Sequence, residues 1–149
     1  MNVFNLIDEH VPACAEMMCG VYNNEMWQCH WDLETASEYL MDLVESNKFV
    51  GFVVEDQNEI VGAMFCKEKI WWNASELYIE EMFVTPKLQR QGIGTMLIQE
   101  AEKYAVEHSL AGFTLNTNRF APAPKFYEKN GFQTNEAVIL MYKECSRGA

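Results

Sequence analysis

The segment Val84-Thr-Pro-Lys-Leu-Gln89-Arg90-Gln91-Gly92-Ile93-Gly94-Thr95 constrains this chain more than any other part of it. The residues from Ser75 to Val84 read as a strand, and Pro86 ends it. Beyond Gly92, the residues Ile93, Leu97, Ala101, Tyr104, Ala105 and His108 form an apolar stripe at helical spacing. A strand that passes through a glycine-bearing loop into a long helix calls for a layered fold, with helices covering a sheet. At the start of such a helix the first backbone N–H groups lack intrahelical partners, and the helix dipole adds positive potential. The loop is therefore a seat for an anion such as a pyrophosphate. Gly92 and Gly94 let the backbone approach a ligand closely, and Lys87 and Arg90 add local positive charge. Two familiar phosphate loops are excluded. The dinucleotide fingerprint wants a third glycine where Leu97 stands, and the Gly-Lys-Ser/Thr of a Walker loop is missing.

The rest of the chain supplies the layers. Residues 2–7, 49–54, 60–66, 113–117 and 138–142 read as further strands. After Asp8, the residues Val11, Cys14, Ala15, Met18, Val21 and Tyr22 recur at helical spacing, with Pro12 tolerable in the first turn. Asp32 caps a second helix whose inner face is Leu33, Ala36, Leu40, Leu43 and Val44. A short helix over 122–129 stops at Asn130-Gly131. The order β-α-α-β-β-β-α-β-α-β over all 149 residues predicts one α+β domain around a mixed sheet.

Charge narrows the partner. The net charge is −11, and a surface of that sign repels phosphate backbones, so no nucleic-acid partner is expected. The charge is also unevenly spread. Residues 1–85 hold 16 acidic and 3 basic side chains, whereas residues 86–149 hold 6 and 8. The N-terminus shows no basic region followed by an apolar core, and the uncharged apolar runs are strand-sized, so neither a secretory signal nor a membrane span is expected. The five cysteines show no C-x-x-C pair and no histidine at ligand spacing, which predicts free thiols in the cytoplasm and no metal.

Two motifs together carry a resemblance. Gln89-x-x-Gly92-x-Gly94 after a strand ending in Met82-Phe83-Val84, and Phe126-Tyr127-Glu128-Lys129-Asn130-Gly131-Phe132 further on, resemble the acetyl-CoA-binding core of the GCN5-related N-acetyltransferase (GNAT) superfamily. The likeness is specific over residues 76–143 and architectural over 1–75. It implies the GNAT fold, a mixed sheet of six to seven strands flanked by about four helices, and an acetyl-CoA-dependent N-acetyltransferase. It implies that backbone groups of Met82, Phe83 and Val84 hold the pantetheine arm. The loop from Gln89 through Arg90, Gln91, Gly92, Ile93 and Gly94 to Thr95 would hold the pyrophosphate. Phe126, Lys129 and Asn118 are further cofactor contacts, although the family's usual spacing falls on Phe120 rather than Asn118. Tyr127 is the implied general acid, able to protonate a departing thiolate. An alkylamine acceptor must lose a proton, and Glu80 and Glu81 point to opposite strand faces. One of them faces the acceptor as the base, Glu81 being preferred, although a bulge would change which one does.

The first half should build the acceptor side. Tyr22, Trp27, Trp31, Trp71 and Trp72, set among carboxylates, suit a cation through cation–π attraction and charge pairing. Val21-Tyr-Asn-Asn-Glu-Met-Trp27 followed by Trp31 is loosely similar to the matching segment of aminoglycoside acetyltransferases. The expected partner is thus a small-molecule amine, aminoglycoside- or polyamine-like. A protein lysine or N-terminal acetyltransferase and a non-catalytic acyl-CoA sensor remain the alternatives. Apolar residues of the first half are also available to a homodimer.

Overall fold

The computed structural model describes residues 1–146. Its element order is β1 (Asn2–Asn5), a 3-10 turn (Asp8–His10), α1 (Val11–Tyr22), α2 (Leu33–Glu45), β2 (Phe49–Asp56), β3 (Glu59–Lys69), β4 (Glu76–Val84), a second 3-10 turn (Pro86–Leu88), α3 (Ile93–Glu107), β5 (Phe113–Leu115) and α4 (Ala123–Lys129). The sheet runs β1-β2-β3-β4-β5, antiparallel until the last pair, where β4 and β5 are parallel.

Each strand alternation sorts side chains to one of two apolar layers. Leu6, Val53, Ala63, Phe65 and Phe83 join α1 and α2 on one face, while Phe52, Met64, Cys66, Leu77 and Ile79 join α3 on the other. The local signals act as expected at α2, where the Thr35 N–H donates to Asp32 Oδ1 at 2.7 Å. That bond holds the Asp32 carboxyl below its usual range. Leu33, at the first turn, is exposed rather than part of the inner face.

The sheet has five strands among the described residues, not six to seven. The expected strand at 138–142 has no ladder, and all five of its side chains are exposed. Apolar composition identifies a segment that can pair but cannot supply the edge it pairs with.

Candidate active site

The site follows from how β4 is paired. Its first part is held on both edges, with Leu77, Tyr78 and Ile79 opposite Phe113, Thr114 and Leu115 of β5. Beyond Ile79, β5 offers no partner, and only β3 continues alongside. The backbone of Glu80–Val84 is therefore open on the β5 side. A cleft of about 960 Å³ lies there, between α1, the end of β4, the start of α3 and α4.

A bulge aims the acid. On β3, Phe65 pairs with Glu81 and Cys66 with Ile79, so Glu80 is the extra residue. Without it, Glu81 would share the α3 face with Leu77 and Ile79. With it, Glu81 turns to the α1/α2 side, the face of Phe83, and Tyr39 of α2 donates a hydrogen bond to its Oε2 at 3.2 Å. Burial pushes the Glu81 carboxyl up to about 7, against the opposing effect of the Tyr39 hydroxyl and with a further push from Glu80. A carboxyl poised near neutrality beside a cleft is suited to take a proton there.

Tyr127 reaches the same cleft from α4, its ring packed edge-on between Phe126 and Phe132 with centroids 5.2 Å from each. Burial raises its phenol well above the ordinary range, with the neighbouring Cys66 thiol and Glu81 carboxyl adding to the effect. It remains a protonated donor across the working pH range. Tyr22 donates to the Met82 carbonyl at 3.3 Å, so its hydroxyl is committed to the opened strand, while its ring stands edge-on to Trp27 at 5.0 Å.

The aromatic loop between α1 and α2 is held by asparagines. The Asn23 side chain exchanges two hydrogen bonds with the Trp31 backbone, at 2.7 and 2.8 Å, and Asn24 Oδ1 accepts from the Trp27 N–H at 3.0 Å. Trp31 then stacks on Tyr39 with centroids 5.3 Å apart. Trp27, Trp31, Glu80 and Glu81 thus line the cleft together with Arg90, Lys125 and Lys129. The acidic and the basic parts of the sequence meet in one cleft.

The helix start lines the same cleft. Gly92 takes φ 85°, ψ 2°, a left-handed conformation that other residues adopt at a cost, and space for a Cβ there is open. Gly94 is constrained differently, because a Cβ would stand 2.8 Å from Phe126 Cζ. The glycine expected only to admit a ligand also admits the Phe126 ring against the first turn of α3. The Gln89 side chain donates to the Val84 carbonyl at 3.2 Å, tying the loop to the strand it leaves. Unpartnered amides at the α3 start, an open strand edge and nearby cations match the parts of an acyl-CoA donor: pyrophosphate, pantetheine arm and remaining phosphate.

Of the residues expected from sequence, Tyr22, Trp27, Trp31, Glu80, Glu81, Met82, Phe83, Val84, Gln89, Arg90, Gly92, Ile93, Gly94, Thr95, Phe126, Tyr127 and Lys129 line the cleft. Gln91, Asn118, Trp71 and Trp72 do not. Asn118 instead accepts from the Phe120 N–H at 2.8 Å within its own turn. Trp71 and Trp72 are exposed beyond β3, with the Lys69 ammonium 5.5 Å from the Trp71 ring. Sequence reasoning missed Tyr39, which sits three residues beyond Ala36 on the inner face of α2, a spacing that was readable. It also missed Asn116 and Thr117, cleft residues just beyond β5. No group of three or more His, Cys, Asp or Glu side chains is placed to hold a metal among the described residues, and no helix there is long and apolar enough to cross a membrane.

The sequence profile of the acetyltransferase (GNAT) domain family matches residues 47–134. The chain belongs to this family, and with it to the acetyl-CoA-dependent N-acetyltransferases. Similar solved structures agree in fold. An aminoglycoside acetyltransferase, meta-AAC0020, from an uncultured soil metagenomic sample, solved with sisomicin, is 22% identical at a TM-score of 0.75, covering 97% of this chain and 96% of that one. A transcriptional regulator from Bacillus halodurans C-125 is 17% identical at a TM-score of 0.78, with 95% and 99% covered. AAC(6')-Iy, in complex with the bisubstrate analog CoA-S-monomethyl-acetylneamine, is 15% identical at a TM-score of 0.74, with 97% and 98% covered. No curated protein matches the sequence.

Proposed function

We propose that this chain acetylates a primary amine of a small cationic acceptor, aminoglycoside- or polyamine-like, by direct attack on the thioester of acetyl-CoA. The observation that carries this reading is Glu81, a carboxyl raised to about 7, turned by a bulge into a cleft that also holds Tyr127. In this reading the cationic acceptor lies against Trp27 and Trp31, its charge balanced by Glu80. Glu81 removes the ammonium proton, directly or through one water, and frees the lone pair for attack. A backbone N–H of the opened β4 segment near Phe83 stabilises the charge developing on the carbonyl oxygen. Tyr127 gives its proton to the departing sulfur, and the second proton that the nitrogen sheds on becoming an amide restores the phenol. Arg90, Lys129 and the α3 amides hold the donor's phosphates. The acceptor class is supported by the aminoglycoside acetyltransferases among the similar structures, one solved with sisomicin and one with an acetylneamine conjugate. A thiol-release assay with acetyl-CoA against a panel of aminoglycosides, polyamines, acetylatable peptides and neutral amines tests it. Turnover concentrated on the small polycations is expected; turnover confined to neutral amines or peptides would replace the acceptor assignment.

A further inference from the structure

Two adjacent asparagines hold the loop between α1 and α2, and they hold different parts of it. Asn24 works within the first turn of the loop. Its Nδ2 donates to the Val21 carbonyl at 2.7 Å, its Oδ1 accepts from the Trp27 N–H, and its main-chain oxygen accepts from the Gln28 N–H at 2.7 Å. Asn23, at the end of α1, reaches across the whole loop instead. Its amide takes both main-chain groups of Trp31, accepting from the N–H at 2.8 Å and donating to the carbonyl at 2.7 Å. No backbone–backbone hydrogen bond is made at Trp31 among the described residues, so one side chain fixes where this residue stands, immediately before the Asp32 cap of α2. The Trp31 ring in turn lies over the Tyr39 ring, the two planes 22° apart. The bond that Tyr39 makes is a long one. Its hydroxyl meets Glu81 Oε2 at 3.2 Å, against about 2.7–2.8 Å usual for an O–H···O bond, so this bond alone holds the ring loosely.

We infer that Asn23 is a positioning residue for Glu81, acting through Trp31 and Tyr39; its part in turnover rests on Glu81 being the base. The clamp keeps the indole stacked, and the stack keeps the phenol against the carboxylate. A hydrogen bond to the ionised form weakens a carboxyl's hold on its proton. No other group around Glu81 takes that place. Burial above all, with the Glu81 charge contributing, raises the phenols of Tyr22 from α1, Tyr127 from α4 and Tyr78 from the same strand. All three stay protonated, and none of them bonds Glu81. From β3 the residue opposite is Phe65, which carries no charge, and Glu80 pushes the carboxyl the other way. Releasing Asn23 therefore lets the indole leave Tyr39, weakens the Tyr39–Glu81 bond, and makes Glu81 keep its proton to higher pH. Because Trp31 also lines the cleft, the acceptor's seat and the acidity of the base share one ring.

Carbon NMR follows the Glu81 carboxyl directly in the substrate-free chain, and the pH dependence of kcat/KM follows its effect. Asn23→Ala should move the Glu81 midpoint upward by a fraction of a pH unit, as Tyr39→Phe does. Trp31→Ala should give the same shift with Asn23 intact, and it carries the test alone if Asn23→Ala does not fold by circular dichroism. Asn24→Ala, which loosens the same loop at Trp27, should leave the midpoint where it is. In a Tyr39→Phe background Asn23→Ala should add no further shift. An unmoved midpoint in the clamp or indole variant overturns the inference, and so does a lowered one, which would make Trp31 a shield against water. An equal shift from Asn24→Ala, or one that adds in full to that of Tyr39→Phe, overturns it as well. A carboxyl that titrates as expected while kcat/KM does not follow it removes Glu81 as the base and leaves the positioning intact.

Discussion

The two halves of β4 share one strand and one partner, β3, yet they do different work. Leu77–Ile79 is laddered on both edges and buries Leu77 and Ile79 under α3. Glu80–Val84 is laddered on one edge, is bulged at Glu80, and turns its free backbone and one raised carboxyl toward a cleft. The difference teaches that the site is made by withdrawing a neighbour. Where β5 stops, backbone groups that would have been spent on a ladder become available to a ligand, and a half-buried carboxyl stands beside them.

The contrast breaks if substitutions in the two halves have the same consequences. Glu81→Gln should carry the largest effect, lowering kcat/KM by roughly 10²- to 10⁴-fold. In the parent enzyme kcat/KM should rise with pH through about 7, where Glu81 loses its proton, and the variant should lack that rise. A parallel fall with the rise retained would move the base elsewhere. Tyr127→Phe should lower turnover by about 10²-fold while acetyl-CoA affinity, read by calorimetry, stays near that of the parent.

In the structural half the expected loss is of stability. Leu77→Ala empties a fully buried site and should cost about 2–5 kcal/mol in urea unfolding, with the pH profile of the folded enzyme unmoved. Glu81→Gln should do the reverse. The folded carboxyl binds its proton more tightly than the unfolded one, so this group lowers stability as pH rises from about 4.5 to about 7, and the loss persists above. At pH 8 the glutamine variant should therefore be more stable by roughly 1–3 kcal/mol. The smallest effect belongs to Tyr39→Phe. It removes a hydrogen bond that favours the ionised Glu81, so the rise in kcat/KM should move to higher pH by a fraction of a unit.

Much of this was legible in the residues. Asp32 announced the start of α2, Pro86 the end of β4, and the Gln89–Thr95 loop the start of α3, because caps, breakers and helical spacing act within a few residues of themselves. The Phe126–Phe132 signature placed Tyr127 with equal economy. Trp71 and Trp72 show the limit: an indole near acidic residues reads as a binding side chain, but only the path of the β3–β4 connection put these two outside the cleft. Gly94 shows another, since its tight fit to Phe126 joins residues 32 positions apart.

Local periodicity and short signatures were enough for most of the elements, for the family and for the chemical types brought to the site, but not for the strand expected at 138–142. The tertiary structure alone decided that of two adjacent glutamates lining the cleft it is Glu81 that turns to the α1/α2 side, that Tyr39 holds it, and that the segment at 138–142 finds no place in its own chain's sheet. Those outcomes depend on which strand lies beside which and for how many residues. A single extra residue in one ladder reverses every side chain that follows it.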